Sequence, residues 1–157
     1  MRRAAAVLAV AAFLSFAADA LGLPPFTTAR KTSPGGAGQA EIFALATGCH
    51  ATFDRLVIRA RNVRPGYDVR YVRRVVADPS GMTVRLRGAK RILLVSHNAT
   101  GHALPRVKTP LCPNLRQVKL AGDFEGVVSI GLGLARKTGF RVFRLTGPTR
   151  IVVDVKH

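Results

Sequence analysis

The sequence predicts an all-β fold, a single β-sandwich of about eight short strands. Three observations support this prediction. Apolar and polar residues alternate in short runs, which is the period of a strand with one buried face. Turn residues such as Pro65-Gly66 and Pro79-Ser80-Gly81 separate the runs. No segment keeps a 3.6-residue apolar period beyond two turns, which argues against a helical fold.

The first 20 residues have the pattern of a signal peptide. A positive start (MRR) precedes an uncharged apolar run at 4–18, and ADA at 18–20 is a cleavage pattern. The run is shorter than the roughly 20 residues that span a membrane. We therefore expect export with cleavage near residue 20, no transmembrane segment afterwards, and a secreted, extracytoplasmic location at the cell wall.

The next segment has the composition of a flexible linker. Residues 21–40 are rich in Pro, Gly, Ser and Thr and carry no apolar period. We expect a tether over residues 21–45 and the sandwich over residues 46–157.

Eight segments of the chain have strand character. The run 91–97 is almost continuously apolar, as in a central strand. The run 126–134 ends in Gly-Leu-Gly-Leu, which indicates either a bulge or the close approach of another backbone. In chain order the segments are 53–61, 67–74, 82–87, 91–97, 115–122, 126–134, 140–147 and 149–155.

Arginine dominates the predicted outer faces of the first three strands. Because sequential strands are usually neighbours, these faces are expected to form one continuous basic surface. The chain carries 25 Lys and Arg against 8 Asp and Glu, so most of these arginines lack an internal partner and point to an anionic ligand. The alternative is a set of solvated arginines that only keep the protein soluble. The predicted binding residues are Arg55, Arg59, Arg61, Arg70, Arg74, Arg85 and Arg87.

Two charged residues of the last strand are expected to form ion pairs with neighbouring strands. Arg150 and Asp154 are four residues apart, so they lie on the same outer face. Their candidate partners are Arg55 and Asp123.

The two cysteines, Cys49 and Cys112, predict one disulfide bond. A lone pair in an exported chain is typically oxidised, and closing so long a loop stabilises the fold by about 4 kcal/mol in the chain-entropy model. The alternative is two unpaired buried thiols.

Enzymatic and metal chemistry are weakly supported. His97 and His102 have no cysteine or carboxylate at ligand spacing, so no metal site or cofactor is predicted. Asp123 and Glu125 could face the same way, but so small a chain is poorly suited to build the cleft of a glycosidase. We expect a non-catalytic protein.

Several segments resemble the AMIN-like domain of secreted actinobacterial proteins. They are FDRLVIRAR (53–61), PGYDVRYV (65–72), AGDFEGVVSIGLGL (121–134) and FRVFRLTGPTRIVVDV (140–155). The resemblance implies a β-sandwich on the envelope side of the membrane. It also implies a non-catalytic module, since AMIN domains localise envelope proteins by binding peptidoglycan.

Two functions are consistent with these features. The first is a cell-envelope module that binds peptidoglycan or another anionic cell-wall polymer, such as a phosphodiester polymer, through its basic face. The alternative is a structural or protein-interaction domain that pairs with another envelope protein and uses its charge only for solubility. Export argues against nucleic acid as the physiological partner.

Overall fold

The structure is a computed structural model that describes residues 22–157. This part of the chain contains thirteen strands and no helix. The predicted signal peptide, residues 1–20, lies outside the described residues. The strands are β1 (Lys31–Ser33), β2 (Ala40–Cys49), β3 (Phe53–Arg61), β4 (Tyr67–Val72), β5 (Val75–Val76), β6 (Thr83–Val84), β7 (Lys90–His97), β8 (Ala99–Gly101), β9 (Val107–Lys108), β10 (Leu115–Phe124), β11 (Val127–Leu134), β12 (Phe140–Leu145) and β13 (Arg150–Lys156). None of the described residues belongs to a helix that could cross a membrane.

The strands form two main sheets that pack as a sandwich, which confirms the predicted fold class. The six-stranded sheet has the order β1-β4-β7-β11-β10-β9, and the five-stranded sheet has the order β12-β13-β3-β2-β8. Their facing sides bury one apolar core, to which both sheets contribute large side chains such as Ile58, Ile151, Leu94 and Ile130. All eight predicted segments contain strands, and the segment 67–74 contains all of β4 and ends just before β5.

Ordered structure begins earlier than the expected tether allows. Segment 21–45 contains all of β1, which pairs with β4, and half of β2, whose Ala40, Ile42 and Leu45 are buried in the core. A register shift between Ile42 and Ala44 places Ile42 and Leu45 on the same face. This bulge interrupts the period of two, so the strand lacks the alternation that identifies the others.

A short hairpin of β5 and β6 forms a third layer on the outer face of the six-stranded sheet. Its Val75 and Leu86 bury a small second core with Ala121 of β10. The predicted role of the Gly-Leu-Gly-Leu segment as a place of close backbone approach is confirmed here. A Cβ atom on Gly133 would lie only 2.0 Å from the carbonyl oxygen of Arg87. The bare glycines of β11 therefore let the chain after β6 lie directly on the sheet.

Arg144 fastens the N-terminal segment to the sandwich. Its guanidinium donates to the Ser33 hydroxyl at 2.7 Å and to the carbonyl oxygens of Pro34 and Pro65, each at 2.8 Å. Burial lowers the pKa of Arg144, and no carboxylate forms an ion pair with it among the described residues. The contacts of Arg144 with the N-terminal segment therefore depend on neutral hydroxyl and carbonyl groups.

The predicted disulfide between Cys49 and Cys112 is confirmed. It joins the end of β2 to the loop before β10, with the two Cα atoms 5.3 Å apart. Asp54 of β3 holds the same loop, because its Oδ2 accepts hydrogen bonds from the backbone N–H groups of Asn114 and Leu115 at 2.6 and 2.7 Å.

Replacing Gly133 with alanine should destabilise the protein. We expect the free energy of unfolding to fall by at least about 2 kcal/mol, because the new methyl group meets backbone that cannot rotate away. Urea unfolding followed by circular dichroism measures the change. The control is Gly48→Ala, whose new Cβ finds its nearest neighbour at 3.7 Å. Equal stability of the two variants would contradict this role of Gly133.

Replacing Arg144 with lysine should also destabilise the protein, even though the charge is kept. The guanidinium uses Nη1 for the Ser33 hydroxyl and Nη2 for the carbonyl oxygens of Pro34 and Pro65. A single ammonium nitrogen cannot occupy both positions, so we expect a loss of about 2 kcal/mol. Arg136→Lys, at an exposed position, is the matched control for thermal unfolding. A melting temperature as high as that of the control would show that the carbonyl contacts contribute little.

Candidate functional site

The seven predicted binding arginines do not form one continuous face. Those of β3 project from the outer side of the five-stranded sheet, whereas Arg70 of β4 belongs to the six-stranded sheet. Arg74, Arg85 and Arg87 belong to the segment that carries the β5–β6 hairpin. The prediction of one face was wrong because the chain crosses from one sheet to the other between β3 and β4, so these sequential strands are not neighbours.

Three of the seven arginines are ion-paired within the domain. Arg55 makes a bidentate contact with the fully buried Asp154: its Nε and Nη2 donate to the two carboxylate oxygens at 2.6 and 2.9 Å. This confirms the predicted pair. The hydrogen bonds that Arg55 donates to Asp154 raise the pKa of Arg55. Arg61 donates to Glu41 at 2.6 Å and lowers the pKa of that carboxyl group. These contacts give the arginines a structural role.

Arg70 binds a carboxylate, whereas Arg150 binds backbone carbonyl groups. Arg70 contacts Asp68 at 2.6 Å, and the same carboxylate also binds Arg30. Arg150 donates to the carbonyl oxygens of Pro148 and Thr146, so its predicted pairing with a carboxylate is wrong.

Phenylalanine rings cover the paired arginines on the five-stranded sheet. The guanidinium of Arg141, which shares Asp154 with Arg55, lies 4.4 Å from the ring centre of Phe26 and 5.2 Å from that of Phe53. Arg55 lies 5.0 Å from the Phe53 ring. The guanidinium groups of these arginines therefore make their cation–π contacts within the domain. It leaves little of their binding capacity for a ligand.

A group of unpaired cations lies at the end of the six-stranded sheet where β4 and β11 end and β7 and β10 begin. Three adjoining pockets follow this end. The first has a volume of about 410 Å³, and it shares Arg73 and Arg91 with the second and Ala89 with the third. We call the cations that line them the basic belt: Arg73, Arg74, Arg85, Arg87, Lys90, Arg91, Arg116 and Lys137.

The basic belt has no internal counter-charge. None of its eight members forms an ion pair within residues 22–157, and no carboxylate lines the three pockets. The carboxylates of this part of the chain are either ion-paired, as Asp154 is, or lie beside other pockets, as Asp123 does. Several positive charges therefore lie close together and repel one another, and an anionic partner would relieve this repulsion.

The backbone under the belt is firmly held. The backbone of Arg87 packs against Gly133. The backbone N–H of Arg87 donates to the side-chain oxygen of Gln117 at 3.1 Å. Gly88 has φ +103°, and a Cβ atom there would lie 2.3 Å from the carbonyl oxygen of Leu134. The charged side chains therefore extend from a fixed base.

Sequence reasoning found part of the belt. Arg74, Arg85 and Arg87 were among the predicted binding residues. The other members were missed because they lie at strand ends, where alternation gives no signal. The sequence does contain a signal for these residues, because pairs of adjacent basic residues lie next to strand ends. The pairs are Arg73-Arg74, Lys90-Arg91 and Arg136-Lys137.

One other group of side chains could in principle hold a metal ion. Ligand atoms of Cys49, Asp54 and Cys112 lie within 4.8 Å of one another. The two sulfur atoms are bonded to each other in this structure, so they are not available as thiolate ligands.

Comparison with known proteins identifies the family. The family model described as the AMIN-like domain matches residues 40–157, a range that includes the main strands of both sheets and the whole basic belt. No curated protein and no solved structure gives a significant match. AMIN-like domains are associated with the cell envelope and are generally non-catalytic. Because the match covers most of the chain, the protein belongs to the AMIN-like domain family.

Proposed function

We propose that this protein is a non-catalytic module of the cell envelope that binds an anionic cell-wall polymer through the basic belt. The polymer is peptidoglycan or a phosphodiester polymer. The observation that carries the proposal is the set of eight cations that line three adjoining pockets without a carboxylate among them.

The chemistry of the belt suits a repeating anion. Arginine presents a planar fork that matches phosphate and carboxylate groups, and lysine adds a compact charge. A single exposed contact of this kind contributes at most about 1 kcal/mol. A polymer with an anionic group in each repeat engages several contacts at once, so its binding strengthens through effective concentration.

The composition of the belt supports binding rather than catalysis. No carboxylate, histidine or cysteine lines its three pockets in the described residues. General acid–base chemistry near neutral pH most often uses such groups. Tyr71, which lines the first pocket, exchanges hydrogen bonds with the backbone of Thr138 at 2.7 and 3.1 Å.

The proposed location is outside the cytoplasm, at the cell wall. The signal-peptide pattern of residues 1–20 and the envelope association of the family both support it. In that setting the partners at hand are wall polymers and other envelope proteins rather than nucleic acid.

Removing three belt arginines should abolish binding. We expect the triple variant Arg73→Ser, Arg85→Ser, Arg91→Ser to lose retention on purified cell wall at low salt. Its melting temperature should stay close to that of the wild type, because none of the three is ion-paired. A pull-down with insoluble cell wall, with thermal unfolding alongside, measures both quantities.

The matched control removes the same charge elsewhere. Arg59, Arg64 and Arg106 are exposed and lie outside the belt, so replacing all three with serine should leave retention intact. Equal loss in both triple variants would show that net charge alone matters, and full retention in the belt variant would reject the belt.

Salt separates polymer binding from pairing with another protein. Retention through the belt should weaken steeply as ionic strength rises, because exposed charges are screened over about 10 Å at 0.1 M salt. Pairing along a strand edge depends on main-chain hydrogen bonds and should change little. Retention that does not respond to salt would favour the protein-interaction alternative.

A further inference from the structure

We propose that one pocket of the basic belt binds a phosphate group that carries about two negative charges, as a phosphomonoester does. The pocket has a volume of about 360 Å³, and among the described residues its cations are all arginines. We call it the four-arginine pocket: Arg73, Arg74, Arg85 and Arg91. The inference rests on the proposed function in that the pocket is part of the belt, and it narrows the ligand at this point to one chemical group.

The four guanidinium groups lack the partners that engage other arginines of this chain. Within residues 22–157, none of the four forms an ion pair or lies over an aromatic ring. Arg141, in contrast, binds Asp154 and lies over the Phe26 ring. Each guanidinium presents its N–H donors in a planar fork. The forks of the four-arginine pocket are therefore available to a ligand.

The backbone holds two of these arginines opposite each other. In the β5–β6 hairpin, Val75 pairs with Val84. Arg74 precedes this pair and Arg85 follows it, so the two arginines occupy the next opposing positions. Directly opposite like charges destabilise a pair of strands. Because the neighbouring Leu86 is buried in the second core, the chain beside Arg85 is fixed in this position. An anion between the two arginines would relieve their repulsion.

The number of arginines exceeds what one carboxylate binds in this domain. Asp154 and Asp68 each bind two arginines. A carboxylate and a phosphodiester each share one negative charge between two oxygens, so two guanidinium groups match either of them. A phosphomonoester has a charge of about −1.5 to −2 at pH 7 and three acceptor oxygens. Four arginines match this larger charge, and the hydroxyl of Thr83, which also lines the pocket, adds a neutral donor.

The first test compares two small ligands that differ by one methyl group. Methyl phosphate is a phosphomonoester, whereas dimethyl phosphate is a diester with a single negative charge. We titrate each into the full-length protein at constant ionic strength and follow the backbone amides by NMR. We expect methyl phosphate to bind at least about tenfold more tightly and to shift the amides around Arg74 and Arg85.

Succinate is the control for charge alone, because it carries two charges on separate carboxylates. We expect it to bind as weakly as dimethyl phosphate. Equal binding of all three ligands would overturn the proposal.

A doubly charged ligand also predicts a pH dependence that comes from the ligand. The second pKa of a phosphomonoester is about 6, so lowering the pH from about 7.5 to about 5 converts it to a monoanion. Among the described residues, the pocket is lined only by arginine, threonine, valine and leucine, and the adjoining pocket adds lysine and tyrosine but no histidine or carboxylate. We therefore expect the affinity for methyl phosphate to fall over this range while that for dimethyl phosphate changes little. An affinity for methyl phosphate that stays constant would overturn the proposal.

Variants that keep the charge test the role of the guanidinium forks. Arg74→Lys combined with Arg85→Lys should weaken the binding of methyl phosphate at least about fivefold. The matched control is Arg64→Lys combined with Arg106→Lys, at exposed positions outside the belt, which should leave binding unchanged. Both variants should melt close to the wild type, because none of these arginines is ion-paired within the described part of the chain. Unchanged binding in the pocket variant would contradict the proposal.

Larger ligands identify the source of the phosphate, since a phosphomonoester occurs at the end of a wall polymer and in the headgroup of a lipid. Weaker retention on cell wall after phosphatase treatment assigns the group to the polymer. Binding to phosphatidylcholine vesicles that contain phosphatidic acid, but not to those that contain phosphatidylglycerol, assigns it to a lipid. Retention that survives phosphatase, together with equal binding to the two kinds of vesicle, would overturn the proposal.

The outcomes for the pocket and for the belt are distinguishable. Retention on cell wall that depends on the belt, without any preference for methyl phosphate, would reject the phosphate site and leave the proposed function in place. Selective binding of methyl phosphate by a protein that cell wall does not retain would support the pocket and reject the wall polymer.

Discussion

The close contact between the backbone near Arg87 and the bare surface of β11 determines where the basic belt lies. Gly131 and Gly133 have no side chains to hold the hairpin segment away from the sheet, so a third layer packs there and buries Leu86. Arg85 and Arg87 flank that buried leucine and are thereby brought to the sheet end that carries Lys90 and Arg91. A glycine pattern in one strand thus brings together cations from separate parts of the chain.

The small number of carboxylates divides the arginines into two kinds. Asp154 binds Arg55 and Arg141 at once, and Asp68 binds Arg30 and Arg70. Each of these acids thus neutralises two cations, and phenylalanine rings cover those of the Asp154 pair, Arg55 and Arg141. The cations at the end of the six-stranded sheet receive no such partner. The ion-paired arginines therefore take these two carboxylates, and the arginines of the basic belt stay free to bind an external anion.

Local patterns predicted much of this fold, and long-range topology explains the failures. Alternation identified eight strand segments, the glycines of β11 predicted a close approach, and the lone cysteine pair predicted its disulfide. Strand β2 was missed because its bulge puts Ile42 and Leu45 on one face three residues apart. The basic surface was misplaced because alternation states which side of a strand a residue faces, not which sheet the strand joins. Part of the belt was missed because it forms only where strand ends converge.

The attachment made by Arg144 bears on the proposed binding to a polyanion. A dense anionic polymer draws protons to its surface, so the local acidity there exceeds that of the bulk solution. Ion pairs that depend on carboxylates weaken as those groups become protonated. The hydrogen bonds of Arg144 end on the carbonyl oxygens of Pro34 and Pro65, which do not titrate in this range. The contacts of Arg144 with the N-terminal segment therefore persist at an acidity that weakens carboxylate ion pairs such as Arg30–Asp68.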